Sequence, residues 1–209
     1  MATINSDIRI NHLLAERGIT TRRQADEWLK QGRIKLAGQV AILGQKVRSG
    51  QKITINLSGW KQDKVYLLCH KALGQDSHPE DPNGAWLADS TKHLCRQKLF
   101  PVGRLDKDSQ GLMLYTNDGR IVKNLLQPEA DKEKEYLVET DKNINNFFLK
   151  QMARGVTIET GQTKPAQVKK INDHCFRLIL NEGKKHQIRR MCAQLGYQVS
   201  KLQRVRIMN

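Results

Sequence analysis

Residues 103–119 read GRLDKDSQGLMLYTNDG. A short polar loop carries one carboxylate, Asp106, between Arg104 and Lys107. The chain then enters the apolar run Leu112, Met113, Leu114 and Tyr115 and leaves it through Thr116, Asn117, Asp118 and Gly119. A short apolar run bounded by turn residues packs as a strand, so the order is loop, strand, turn. Neighbouring cations favour the charged form of a carboxylate, which suits Asp106 to act as an ionised nucleophile or base. The competing reading is an aspartate that only shapes its turn, a common use of Asp in loops. No cluster of metal ligands stands beside it.

Composition narrows the partners. The chain has 209 residues and a formal net charge of +15, long enough for a well-buried core and two unequal domains. That charge predicts a polyanionic partner. No apolar run approaches the roughly 20 residues of a spanning helix, and the amino terminus lacks the apolar core of a signal peptide. A cytoplasmic protein with no membrane partner is therefore expected. Cys69, Cys95, Cys175 and Cys192 are scattered and form no CxxC pair. Such spacing offers neither a zinc site nor a disulfide framework and fits cysteines used as small apolar residues.

Four blocks follow one another: HKALG at 70–74, the stretch at 103–119, KEY at 134–136, and GKKHQIRRMCAQLGYQVSKLQRVRIMN at 183–209. In this set the sequence resembles the pseudouridine synthases of the branch named for the ribosomal small-subunit enzyme RsuA. The resemblance implies an α+β fold: a catalytic domain over 65–209, built on a mixed, largely antiparallel sheet, that isomerises uridine to pseudouridine in structured RNA. The expected target is 23S ribosomal RNA, with transfer RNA as a second candidate, and the expected protein is a monomer. It implies catalytic work for Asp106 and an arginine, Arg189, paired with that carboxylate. It also implies apolar packing in the site by Leu202 and a ring, Tyr136, against the extruded uracil. A base taken out of its stack loses its neighbours, and aromatic contact returns about 1–3 kcal/mol. Spacing alone fits Tyr136 equally to a core position on an alternating strand. No cofactor and no metal is implied.

Basic residues of the same blocks, Arg104, Lys107, Lys184, Lys185 and Arg190, are expected on RNA. His186 is expected as an RNA or structural contact, because the reaction needs no histidine base. Lys71 is either a phosphate contact or an ordinary surface lysine. Ala72 stands where the family has proline, so the loop bearing Lys71 loses a fixed backbone angle. The sequence stops at Asn209, where the family continues with a strand and turn carrying GlyxTrpArg. These departures keep open an RNA-binding protein with an inactive site, while an Asp106–Asp108 pair keeps open a hydrolase.

Nearer the amino terminus, IRINHLLAER at 8–17 has helical spacing and stops at Gly18. A second helix follows, capped by Thr20 or Thr21, with Ala25, Trp28 and Leu29 buried and Gly32 as its end. Its first turn holds Arg22 and Arg23, where the helix dipole disfavours cations. Free amides and two guanidinium groups suit phosphate; a solvated charged face is the other reading. RIKLAG, VAILGQKV and KITIN predict a small antiparallel sheet. This region resembles the S-four RNA-binding domain, implying phosphate contacts by Arg22, Arg23, Arg33 and Lys35. The expected organisation is 1–56 as that domain and 57–64 as a linker. In the catalytic region, VYLLC at 65–69 predicts a buried strand and residues 75–98 a long loop that contacts substrate. Helices are expected at 120–126, at 143–154 with Ile144, Phe147, Phe148 and Met152 inward, and at 186–195. Strands are expected at 133–140, VTIET, AQVKKI and CFRLIL.

Overall fold

The computed structural model describes residues 8–48, 50–58, 63–77, 99–126 and 132–208. HPEDPNG and STKHLCRQK, most of the expected substrate loop, lie outside the described residues, as do Cys95 and residues 59–62 of the expected linker. The chain divides into two compact units, Met1–Val65 with Asn117–Lys123, and Tyr66–Thr116 with Asn124–Asn209.

In the first unit the helical spacing gives α1 (Ile10–Glu16) and α2 (Arg22–Lys30). Thr21 caps α2, its hydroxyl accepting from the Gln24 N–H at 3.0 Å. Ile10, Leu14, Ala25, Trp28 and Leu29 from the helices meet Ile34 and Leu36 in one core. β1 (Ile8–Arg9) pairs with β4 (Lys46–Val47), and β2 (Ile34–Leu36) lies between β3 (Gln39–Val40) and β5 (Ile53–Ile55). VAILGQKV is not one strand: only its ends pair, and Ile42 and Leu43 are exposed in the turn between.

The second unit is built on one seven-stranded sheet. Its strands are β6 (Tyr66–Lys71), β7 (Phe100–Val102), β8 (Gln110–Thr116), β9 (Lys134–Thr140), β12 (Gln167–Lys170), β13 (Cys175–Leu180) and β14 (Val199–Ile207). β10 (Thr157–Ile158) and β11 (Gly161–Gln162) form a separate hairpin. The order is β12–β13–β9–β14–β8–β6, with β7 also on β8. Every pairing is antiparallel except β14 with β8, so the sheet is mixed and largely antiparallel. Helix α3 (Arg120–Leu126) forms as RIVKNLL predicts. Helices α4 (Asn146–Arg154) and α5 (Gln187–Gln194) cover one face, burying Phe148, Met152, Ile188, Met191 and Cys192 against Val138, Phe176, Leu178 and Leu202.

Three expectations need correction. VYLLC becomes β6, but Tyr66, Leu68 and His70 are exposed, because β6 ends the sheet and has one covered face. Phe147 is 65% exposed rather than inward. Phe148 and Met152 already occupy the buried face of α4, and the preceding residue on a helix is rotated about 100° away. Residues 199–207, for which no strand was expected although Leu202 was placed in the site, form the nine-residue strand β14 in the middle of the sheet.

Candidate active site

Cross-strand pairing sets the site in rows on one sheet face. Phe176, Val138 and Leu202 form a row beneath the helices; the next row holds Leu178, Tyr136, Arg204 and Gly111. Beyond the cover of α5 this face opens into a cavity of about 580 Å³, lined by Arg104, Asp106, Lys134, Tyr136, His186, Leu202 and Arg204 among others. A volume of this size is typical of small-ligand sites.

Asp106 enters the cavity from the loop between β7 and β8, and the hold on that loop is on its backbone. The Arg104 carbonyl accepts from Arg204 at 3.3 Å, and that of Leu105 from the Ser77 hydroxyl. The Asp106 carbonyl accepts from the Ser109 N–H at 3.0 Å. The Lys107 carbonyl accepts from Lys71 and from the Gly74 N–H, and that of Asp108 from Arg189 at 2.6 Å. Five consecutive carbonyls are therefore fixed by donors, which leaves the Asp106 side chain, 36% exposed, facing the cavity. Its near neighbour is the His186 ring, whose Nε2 lies 3.5 Å from Oδ1. His186 precedes α5 in a left-handed conformation with φ 51, a region that histidine tolerates better than most residues.

The anticipated Arg189–Asp106 ion pair is not formed. Arg189 donates to the backbone carbonyls of Val199 and Asp108, so it binds the loop after Asp106 rather than the carboxylate. Lys71 is neither a phosphate contact nor a surface lysine. It is fully buried, and its ammonium donates to Ala72, Gln75 and Lys107 carbonyls at 3.0, 2.8 and 3.3 Å. Burial lowers its pKa, opposed by the charges of Asp76, Asp106 and Asp108. Ala72, in place of proline, keeps an N–H, and that N–H donates to the Gln75 side chain at 3.1 Å. The departure removes one constraint and supplies another.

Arg204 went unassigned in the sequence. It is 4% exposed and donates to the carbonyls of Leu112 and Arg104 and to the Met113 sulfur. Burial raises the Tyr136 pKa, opposed by the charge of Arg204 beside it. Gly111 makes room for the Arg204 backbone: at φ +116, a Cβ there would overlap the Arg204 carbonyl oxygen. Burial and the charge of Arg204 lower the Lys134 pKa. Period two from Tyr136 was the signal available for Lys134, which shares its strand face.

Of the remaining expected RNA contacts, Arg104, Lys107 and Lys185 are exposed, as are Arg22, Arg23 and Lys35 in the first unit. Lys184 is held by the Gly161 and Gln162 carbonyls, and Arg190 lies 3.7 Å from Glu159. Arg33 is held by Gln31 and the Ser58 carbonyl. Asp108 does not line the cavity, which removes the geometry for an Asp106–Asp108 hydrolytic pair. Among the described residues no group of three His, Cys, Asp or Glu could hold a metal, and no helix is long and apolar enough to cross a membrane.

Known proteins resemble this chain over nearly its whole length. The dual-specificity RNA pseudouridine synthase RluF of Escherichia coli K12 is 41% identical over 98% of this chain and 71% of that protein. The ribosomal large subunit pseudouridine synthase B of Bacillus subtilis is 33% identical over 94% of this chain and 84% of that protein. A crystal structure of a pseudouridylate synthase superposes with a TM-score of 0.70 at 28% identity, covering 96% of this chain and 88% of that one. The family described as RNA pseudouridylate synthase matches residues 65–194, which take in the Asp106 loop, Tyr136 and all of α5, and the chain belongs to that family.

Proposed function

We propose that this protein converts uridine to pseudouridine in ribosomal RNA of the large subunit, with Asp106 as the reacting carboxylate. One observation carries the assignment: a backbone-clamped loop offers a single uncommitted carboxylate to a cavity whose floor is Tyr136. The other carboxylate on that cavity, Glu182, is engaged by the Gln187 amide and the Lys164 N–H. In the reaction the bond from C1′ to uracil N1 breaks, the uracil turns, and C1′ is rejoined through C5. Asp106 either attacks C1′ or takes a proton from ribose. Tyr136 supplies a flat face to the extruded base, and Leu202, buried beside it, excludes water that would capture the sugar. Arg189 positions Asp106 through the Asp108 carbonyl.

RNA is held by exposed cations, Arg104 and Lys185 at the cavity and Lys107 beside it in the catalytic unit, and Arg22, Arg23 and Lys35 on the amino-terminal unit, read as an S-four RNA-binding module. Transfer RNA is the second substrate to test. The deciding experiment uses protein-free ribosomal RNA carrying tritium at uracil C5, since that hydrogen leaves as C5 is joined to ribose. Wild-type protein should release tritium, and Asp106→Asn should lower the rate at least about a thousandfold with RNA affinity retained. Turnover within tenfold of wild type in Asp106→Asn would reject Asp106. RNA binding by the wild type without tritium release would favour the RNA-binding protein with an inactive site.

A further inference from the structure

Strand β9 begins by presenting Lys134 and Tyr136, two residues apart, on the face that lines the cavity. The acidic residues that alternate with them, Glu133 and Glu135, point to the other face and pair there with Arg206 and Arg177. Lys134 is thereby separated from its chain neighbours' charges. It is half-buried, its hydrogen bond is a long one of 3.4 Å to the Lys132 carbonyl, and it pairs with no carboxylate among the described residues. Arg204, the other cation by Tyr136, is 4% exposed and spends three of its five N–H donors on Leu112, Arg104 and Met113. Beside the ring on which the uracil is placed, Lys134 is the cation held more loosely, with one long bond for its three donors.

The reaction creates a use for such a cation. When C1′–N1 breaks, the bonding pair stays with the uracil, whose negative charge spreads over N1, O2 and O4. Asp106 loses its charge in the same step, either by bonding C1′ or by accepting a proton from C2′. One unit of negative charge thus moves across the cavity, away from the His186 side, where Nε2 lies 3.5 Å from Asp106, to the Tyr136 side. On return, C5 bonds C1′, the C5 proton leaves and N1 gains one, so no atom is gained or lost. A cation on the uracil side is attracted more strongly to the transition state than to the ground state, which is the condition for catalysis.

Building on the functional reading above, we infer that Lys134 is a catalytic residue whose ammonium stabilises the departing uracil anion through its oxygens. The test compares Lys134→Met and Lys134→Arg with wild type in single turnover at saturating RNA, on tritiated ribosomal RNA and on RNA transcribed with 5-fluorouridine, scoring consumption of the nucleoside. Fluorine makes uracil a better leaving group, so it substitutes for an external cation. Lys134→Met should lose about a hundredfold on uridine and less than about tenfold on 5-fluorouridine, with RNA affinity within about threefold and Lys134→Arg recovering most of the rate. Should Lys134→Met fail to fold by thermal melting, Lys134→Gln carries the same comparison. Equal losses on both substrates, a loss confined to affinity, or no loss would overturn the proposal. A wild type that releases no tritium would instead overturn the functional reading beneath it.

Discussion

Lys71 has three ammonium protons and three carbonyl partners, at Ala72, Gln75 and Lys107, so no donor remains for a phosphate. Lys71→Met should lower the unfolding free energy of the catalytic unit by about 3 kcal/mol, because several buried carbonyls lose their donor. The salt dependence of RNA binding should stay unchanged; a flatter slope would restore Lys71 to the phosphate. Nothing in HKALG discloses this role, since lysine is seldom fully buried and its three acceptors come from separate parts of the chain. Cys192 was legible, as a small apolar residue on the inward face of a helix. Burial pushes its thiol from 9.0 up to about 12. Between those values the unfolded chain has lost the thiol proton while the folded chain keeps it, so the unfolded state binds fewer protons. Stability then falls as pH rises, by about 1.4 kcal/mol per pH unit. Lys71 and Lys134, whose folded values are lowered, act in the opposite sense and increase stability as pH rises toward 10.5. The comparison with Cys192→Ala isolates the thiol: its stability in urea should fall less steeply between pH 9 and 10.5 than that of wild type.

At the scale of elements, the meeting of β8 and β14 is the joint on which the site depends. Their parallel pairing has two register partners, Gln203 with Gln110 and Arg204 with Gly111. Gly111→Ala should destabilise the catalytic unit by several kcal/mol, combining a strained φ with a Cβ that overlaps backbone. An ordinary melting temperature for that variant would contradict the joint. The elements that the sequence discloses are those with clean periodicity: α2, α4, α5, β9 and β13 all fall where spacing places them. β14 escapes because Lys201, Arg204 and Arg206 interrupt its apolar positions, and a buried arginine reads as a surface one until its acceptors are known. The Asp106 loop was legible as a site, but its bracing was not. Arg189 was assigned to the carboxylate and instead holds a carbonyl, and sequence carries no information about which oxygen of a neighbour a guanidinium will choose.

For the whole molecule the net charge of +15 governs association with RNA. Affinity should fall steeply with salt, and Arg22→Ala with Arg23→Ala should flatten the slope by up to about 1.5, near 0.7–0.9 for each phosphate that is no longer neutralised. Both side chains are exposed on the first turn of α2, so folding should be nearly unaffected. An unchanged slope would leave them as a solvated face.

The hydrogen bond from Arg204 to the Arg104 carbonyl joins residues 100 positions apart. Ribosomes add about 5–20 residues per second. A growing chain therefore exhibits its Asp106 loop for roughly 5 to 20 seconds before the strand that braces it has been made. During that interval the loop has its donors from Lys71, Gly74, Ser77 and Ser109 but lacks those from Arg189 and Arg204 and the cavity wall that β14 supplies, so a newly made chain should be inert towards the nearest RNA, the ribosome that is making it, until β14 arrives.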